Sequence, residues 1–229
     1  DQYRPALIEK ISQAVGAPVD LGRVSLVWRN GIALRLENFS IDSTRGKQTV
    51  SFKFKEAEAI ARLWPLLRRD VKISSVVIKN GELLFEDPTS SPPMGLVLGD
   101  LDVEVREFSF SKPFSFRVAA ALFSSRQNLR VEGRFTLPQA DGSGALDDFS
   151  FTTDLADLDL EDITRALRTR VVENMAGELT VKVDHLDLSE KGFAAAKGDL
   201  ILQHGSLKLA SARSAFTNMQ LSAFMNGED

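Results

Sequence analysis

Residues Val15 to Ile41 read V-G-A-P-V-D-L-G-R-V-S-L-V-W-R-N-G-I-A-L-R-L-E-N-F-S-I. After the Gly-Ala-Pro break, Val24, Leu26 and Trp28 share one parity, with Arg23, Ser25 and Arg29 between them; Val27 is the exception. Asn30-Gly31 follows, and this dipeptide is the strongest short hairpin signal because both central residues of a type I′ turn need positive φ. Ile32, Leu34 and Leu36, then Phe39 and Ile41, resume the alternation. The stretch predicts a β-hairpin with one apolar face. Two strands are marginally stable in water, so the hairpin must be extended or covered by the rest of the chain.

The rest supplies more strands. Upstream, Leu7, Ile8, Ile11 and Val15 fall at helical spacing between Pro5 and Gly16, predicting a helix over Arg4 to Val15. It reads as a plug for one end of a β core, or as a membrane-surface helix with a thin basic face (Arg4 and Lys10 against Asp1 and Glu9). Downstream, Val50, Phe52 and Phe54 alternate, predicting a strand to about Ala61, then a short helical turn over Leu63 to Arg69. Asn80-Gly81 reads as a second hairpin turn, between Val71 to Ile78 and Glu82 to Glu86. Asp87 to Gly95 is a loop by composition. Leu96 to Phe110 alternates, with a parity shift at Phe108 and Phe110 that suggests a bulge. Further strands follow at Phe114 to Val118, Leu129 to Phe135 and Phe149 to Leu160. A helix is expected over Leu160 to Asn174, with acidic residues at its start and arginines beyond, as the helix dipole favours. Gly177 to Leu188 is a strand, and His204-Gly205 reads as the turn of a last hairpin. About twelve strands and two or three helices result. The domain reading is one unit, 1–229: helix 1–16, first hairpins 17–87, central strands 96–160, helix 161–175, last strands 176–212 and a weakly ordered tail 213–229, with a final strand that frays as the other reading of Ala210 to Asp229.

Composition removes several functions. The 229 residues carry 28 basic and 32 acidic side chains, net −4 with two His neutral, so no basic footprint for nucleic acid exists. Absent cysteine excludes disulfides, thiolate metal sites and cysteine nucleophiles. Fifteen Phe against one Tyr and two Trp favour faces that stay dry, since Phe has no polar tip to satisfy. The two histidines, His185 and His204, fall in a strand and a turn, which argues against zinc. The acidic run Asp154 to Asp162 lacks the central Gly and later Glu of a calcium loop and reads as a helix cap and first turn. No G-x-S-x-G elbow and no phosphate loop occur. The chain is therefore expected to be no enzyme, with no catalytic residues, no cofactor and no metal.

The pattern G-x-P-V-x-L-G-x-V-S-L-x-W-x-x-G-I-x-L-x-L-x-N-F-x-I after a short helix resembles the start of AsmA-like proteins. These are Gram-negative envelope proteins related in architecture to chorein-type bridge-like lipid transfer proteins. The resemblance recurs at Leu66 to Phe85 and Gly177 to Leu209. It implies a mainly β fold in which a long curved antiparallel sheet forms an apolar trough. It also implies a periplasmic location, an inner-membrane anchor just before Asp1, and phospholipid acyl chains carried between inner and outer membranes. Periodicity alone favours apolar faces that close on each other as a sandwich or barrel core; the resemblance reverses that order in favour of the trough. The cleanest alternations nominate the lipid-facing set: Leu101, Val103, Val105, Phe114, Phe116, Val118, Leu179, Val181 and Val183. The alternative function is a non-enzymatic assembly factor that pairs strand edges or apolar surface with an outer-membrane protein.

Overall fold

The computed structural model describes residues 4–5, 8–9, 12, 17–28, 32–45, 47–61, 73–89, 94–109, 112–137, 144–167, 172–187, 197–210 and 213–225. Eleven strands account for most of them: β1 (Val19–Trp28), β2 (Ile32–Arg45), β3 (Gln48–Ala61), β4 (Ile73–Asp87), β5 (Met94–Arg106), β6 (Phe114–Leu122), β7 (Leu129–Thr136), β8 (Ala145–Asp154), β9 (Val172–Asp187), β10 (Lys197–Leu209) and β11 (Phe216–Met225). All lie in one antiparallel sheet whose spatial order is the chain order, so β1 and β11 are its outermost strands among the described residues. The fold is mainly β, as expected, with eleven strands among the described residues against about twelve expected. The opening hairpin forms with Trp28 opposite Ile32; its turn, residues 29–31, lies outside the described residues, as does the helical turn expected over Leu63 to Arg69.

Two of the expected hairpins are not hairpins. Asn80-Gly81 sits inside β4, and His204-Gly205 inside β10. On both sides of Asn80-Gly81 the chain pairs with the same strand: Lys79 opposite Glu56, Gly81 opposite Phe54. The dipeptides signal positive φ, and here that φ makes bulges, not reversals. Asn80 has φ 53° and His204 φ 52°, and the register with the next strand slips at each. Asn38, Asp100, Asp148 and Asn218 occupy the same left-handed region within β2, β5, β8 and β11. Asn, Asp and His are the non-glycine residues that tolerate it best. A bulge bends its strand and raises the local twist. Glycine supplies the close approach beside the His204 bulge: Gly177, at φ 121°, would place a Cβ 2.8 Å from the Gln203 carbonyl oxygen and 2.9 Å from the Gly205 Cα.

The helical expectations change as well. Residues 4, 5, 8, 9 and 12 have helical backbone; the remainder of the helix expected over Arg4 to Val15 lies outside the described residues. The later helix, α1 (Leu160–Leu167), is shorter than expected, and Val172 to Met175 belong to β9 instead of to a helix over 161–175. Asp159 caps α1, its carboxylate accepting from the backbone N–H of Glu161 (2.8 Å) and of Asp162 (3.3 Å). The helix touches both β5 and β9. Strands β6, β7 and β8 have 9, 8 and 10 residues, against 13 in β5 and 16 in β9, so α1 occupies the space where the middle strands stop short. Buried Asn128 pins that end: its amide donates to the carbonyls of Leu122 (3.1 Å) and Asp154 (3.4 Å), and its carbonyl oxygen accepts from Leu122 N–H (2.8 Å). The expected weakly ordered tail contains a strand, β11. Its ladder with β10, from Leu207 opposite Phe216 to Gly198 opposite Met225, orders that part of the chain.

Candidate functional site

Side chains directly opposite one another in neighbouring strands share a face. Following the pairs from β1 to β11 gives one unbroken row: Val24, Leu36, Ala57, Ile78, Val103, Val118, Val131, Phe151, Val181, Leu200, Ala223. Every member is apolar. With strands roughly 4.8 Å apart, ten gaps make the row about 48 Å long. On either side lie partial rows of the same kind. Val19, Ile41, Phe52, Leu83, Leu98 and Leu122 form one; Leu26, Leu34, Ala59, Val76, Val105 and Phe116 form another.

The rows belong to one face because they pack together. Leu21, Phe39, Phe54 and Ala57 form a buried cluster against Val24, Leu36, Ile41, Phe52 and Ile78. Phe39 and Phe54 stack with ring centroids 4.6 Å apart. Leu101, Ala120 and Leu129 form a second cluster against Val103, Val118, Val131, Phe151 and again Phe52. Phe52 thus joins the two. Ile8 packs on the first cluster. Since all eleven strands are in one sheet, no second sheet packs on this face among the described residues. Outside the two clusters most of its side chains stay half-buried; Phe114 and Val183 are buried, while Leu26 and Trp28 on β1 and Leu221 on β11 are 71%, 72% and 53% exposed.

The opposite face is charged. The row next to the apolar one runs Ser25, Arg35, Glu58, Val77, Glu104, Arg117, Glu132, Ser150, Lys182, Asp199, Phe224. Arg35 donates to Glu58 at 2.9 Å and lies 3.1 Å from Glu56. The hydrogen bond to Glu58 raises the Arg35 pKa above its ordinary value; desolvation opposes it, and the fields of Glu56, Glu58 and Glu37 add to the rise. Arg106 and Arg126 are raised in the same way, by hydrogen bonds to Glu104 and Asp157. A raised cation pKa stabilises the fold below the ordinary arginine range and loses that effect only in stronger alkali, so these pairs stay formed at any physiological pH. An open depression of about 240 Å³ lies on this face. Its three arginines each have a carboxylate partner: Arg106 with Glu104, Arg117 with Glu132, Arg134 with Asp148. It holds no uncompensated charge to grip a substrate.

The nine residues nominated from sequence fall on the apolar face. Val103, Val118 and Val181 are members of the long row. Val105 is paired with Phe116 in the row beside it. Leu101 heads the second cluster, and Phe114, Leu179 and Val183 follow by alternation along β6 and β9. Leu101, Phe114 and Val183 are buried; the other six are half-buried. The nomination missed the first third of the row, Val24 to Ile78, together with Val131, Phe151 and Leu200. Strict meander order would have linked these alternations, but the two false hairpins broke the register.

His185 Nδ1 lies 2.6 Å from Asp147 Oδ1 across β8 and β9, on an exposed side chain. His204 takes the left-handed position of a bulge. Among the described residues, no group of three or more His, Asp or Glu is placed to hold a metal ion, and no helix is long and apolar enough to cross a membrane. Comparison with protein-family models, curated proteins and solved structures finds no match for this chain.

Proposed function

We propose that this chain is a lipid-binding or lipid-conducting module of the AsmA-like type. On this reading it works in the periplasm beside an inner-membrane anchor and carries phospholipid acyl chains toward the outer membrane. The sheet is then an apolar trough, and the module performs no chemistry of its own. One observation supports this above the rest: an apolar row crosses all eleven described strands on a face that no second sheet covers among the described residues. Apolar surface of that extent, left to water, would be an aggregation hazard unless it has an occupant. An acyl chain fits, because each buried CH₂ contributes about 0.8 kcal/mol and needs no polar partner. A bilayer's hydrocarbon core is about 30 Å thick, so one tail is about half that, and the row is long enough for about three tails end to end.

The charged face completes the logic. Its paired arginines and carboxylates keep that side in water, so lipid is confined to the other. The test is the lipid content of protein purified in mild detergent-free buffer, by mass spectrometry of extracted chains. The lipid reading expects phospholipid at about one or more molecules per protein. Protein free of lipid that instead captures extended peptides of outer-membrane proteins would replace this reading with the assembly-factor one.

A further inference from the structure

We propose that Thr153 is a polar subsite on the apolar face, where its hydroxyl donates to the ester carbonyl of a glycerolipid whose tails lie along the row. The inference rests on the lipid reading and adds where the polar end of the tails is held. Thr153 is 3% exposed, and its Oγ1 has no hydrogen-bond partner. Among the described residues, no other buried side-chain nitrogen or oxygen lacks one. A buried hydroxyl without a partner costs stability, and folded proteins keep such groups few. Its position is on the lipid side. Thr153 pairs with Leu129 on β7 and Leu179 on β9, two residues along β8 from Phe151 of the long row. Alternation puts both side chains on one face. Leu129 faces Ala120 in turn, and Leu179 faces Leu202. Thr153 is the one polar member in that run of five strands.

Thr153 also stands where the sheet gives way to helix. β8 ends at Asp154, a 3-10 turn (Leu155–Asp157) follows and touches β9, and α1 touches β5 and β9. Because the hydroxyl is buried, a ligand reaches it only when this segment yields. The ties on the segment lie at its surface. Arg126 donates to Asp157 at 2.8 Å in an exposed pair, and the Asp159 N–H donates to the Phe123 carbonyl at 2.5 Å. A segment held by exposed hydrogen bonds opens locally more readily than a strand in mid-sheet. The chemistry of the occupant follows from the surroundings. The flanking leucines and alanine suit hydrocarbon, and the hydroxyl suits a carbonyl oxygen. Asp154, Asp157 and Asp159 come directly after it in the chain. A free carboxylate or phosphate there would meet negative charge, whereas an ester carbonyl carries none.

The experiment offers the 229-residue chain vesicles made of equal parts dioleoyl phosphatidylcholine and its diether analogue. The two lipids share headgroup and tails, and the analogue has no carbonyl. Lipid that stays with the protein through gel filtration is counted by mass spectrometry. The wild type should hold the diester in excess by about two- to tenfold, the worth of one hydrogen bond. Thr153→Val keeps the shape and removes the hydroxyl, so it should hold the two lipids equally while its urea midpoint does not fall. Thr153→Ser keeps the hydroxyl and should keep the preference. Thr152→Val is the control: Thr152 pairs with Arg130 and its hydroxyl lies 3.3 Å from that of Thr180, so the preference should persist. A wild type that takes up both lipids equally, a preference retained by Thr153→Val, or a midpoint lowered by that change would each overturn the subsite and leave the lipid reading standing. A wild type that takes up neither lipid would overturn both.

Discussion

Replacing Phe116 by Asp separates an open face from a closed core. Phe116 is half-buried on the apolar face, between Val105 and Gly133. Fully burying such a side chain contributes about 1.5–3 kcal/mol, so losing half of that costs about 0.8–1.5 kcal/mol. Asp in a strand adds up to about 1 kcal/mol through its poor β propensity. The sum is about 2 kcal/mol, because a carboxylate on a face open to water stays hydrated. For a domain of this size that lowers Tm by about 4–8 °C. A closed core would strand the charge, at several kcal/mol. Leu21, fully buried in the first cluster, shows the contrast: Leu21→Asp should abolish folding. The assay is thermal and urea denaturation followed by circular dichroism at neutral pH. Arg117→Asp is a poor control, since it would set a carboxylate directly between Glu104 and Glu132. Arg117→Gln is the better one and should cost no more than about 0.5 kcal/mol. If Phe116→Asp unfolds the protein as Leu21→Asp does, the face is core and the reasoning fails at that strand.

Three further outcomes follow from single positions. Gly177→Ala should lose about 1–3 kcal/mol, since the left-handed φ and the close Gln203 oxygen both oppose a Cβ. Gly95→Ala, whose Cβ would meet nothing within 4 Å, should be neutral in the same urea titration; equal effects would refute the bulge account. Asn128→Ala should cost about 2–3 kcal/mol by leaving the Leu122 amide and two carbonyls short of a partner. A urea midpoint unchanged from wild type would show that the pin is dispensable. Asp159→Ala should cost about 1 kcal/mol through the lost cap, with a matching loss of protection in α1 amides by hydrogen exchange; unaltered exchange there would count against it.

The alternations carried the fold class into view: hydrophobic period two at Val24 to Trp28, Phe114 to Val118 and Leu179 to Val183 became strands where expected. Asn-Gly misled because the sequence states only that φ is positive there. Whether the chain reverses depends on what the flanking residues pair with, and at Asn80 both flanks pair with β3. The end of α1 was misjudged because Val171 to Met175 suits either period; the ladder of Val172 with Leu209 decided for strand. The last strand was read only as one option for the tail. Met219, Leu221 and Ala223 alternate with Gln220 and Ser222, but the small and polar residues around them dilute the signal, and the β10 ladder is what orders the segment. The nine nominated residues could be grouped by parity, but the row through all eleven strands needed the register.

The central claim is that lipid lies on one face of the sheet and not the other. Adjacent residues test it within single strands: Val103 and Glu104 on β5, Val118 and Arg117 on β6, Val181 and Lys182 on β9 lie in the two neighbouring rows. A photo-reactive phenylalanine analogue placed singly at each of the six positions, irradiated in cells, reports what touches that side chain. The account predicts phospholipid adducts at Val103, Val118 and Val181 and none above background at Glu104, Arg117 and Lys182. Equal adducts on both faces, or no lipid adduct on the apolar one, would contradict it.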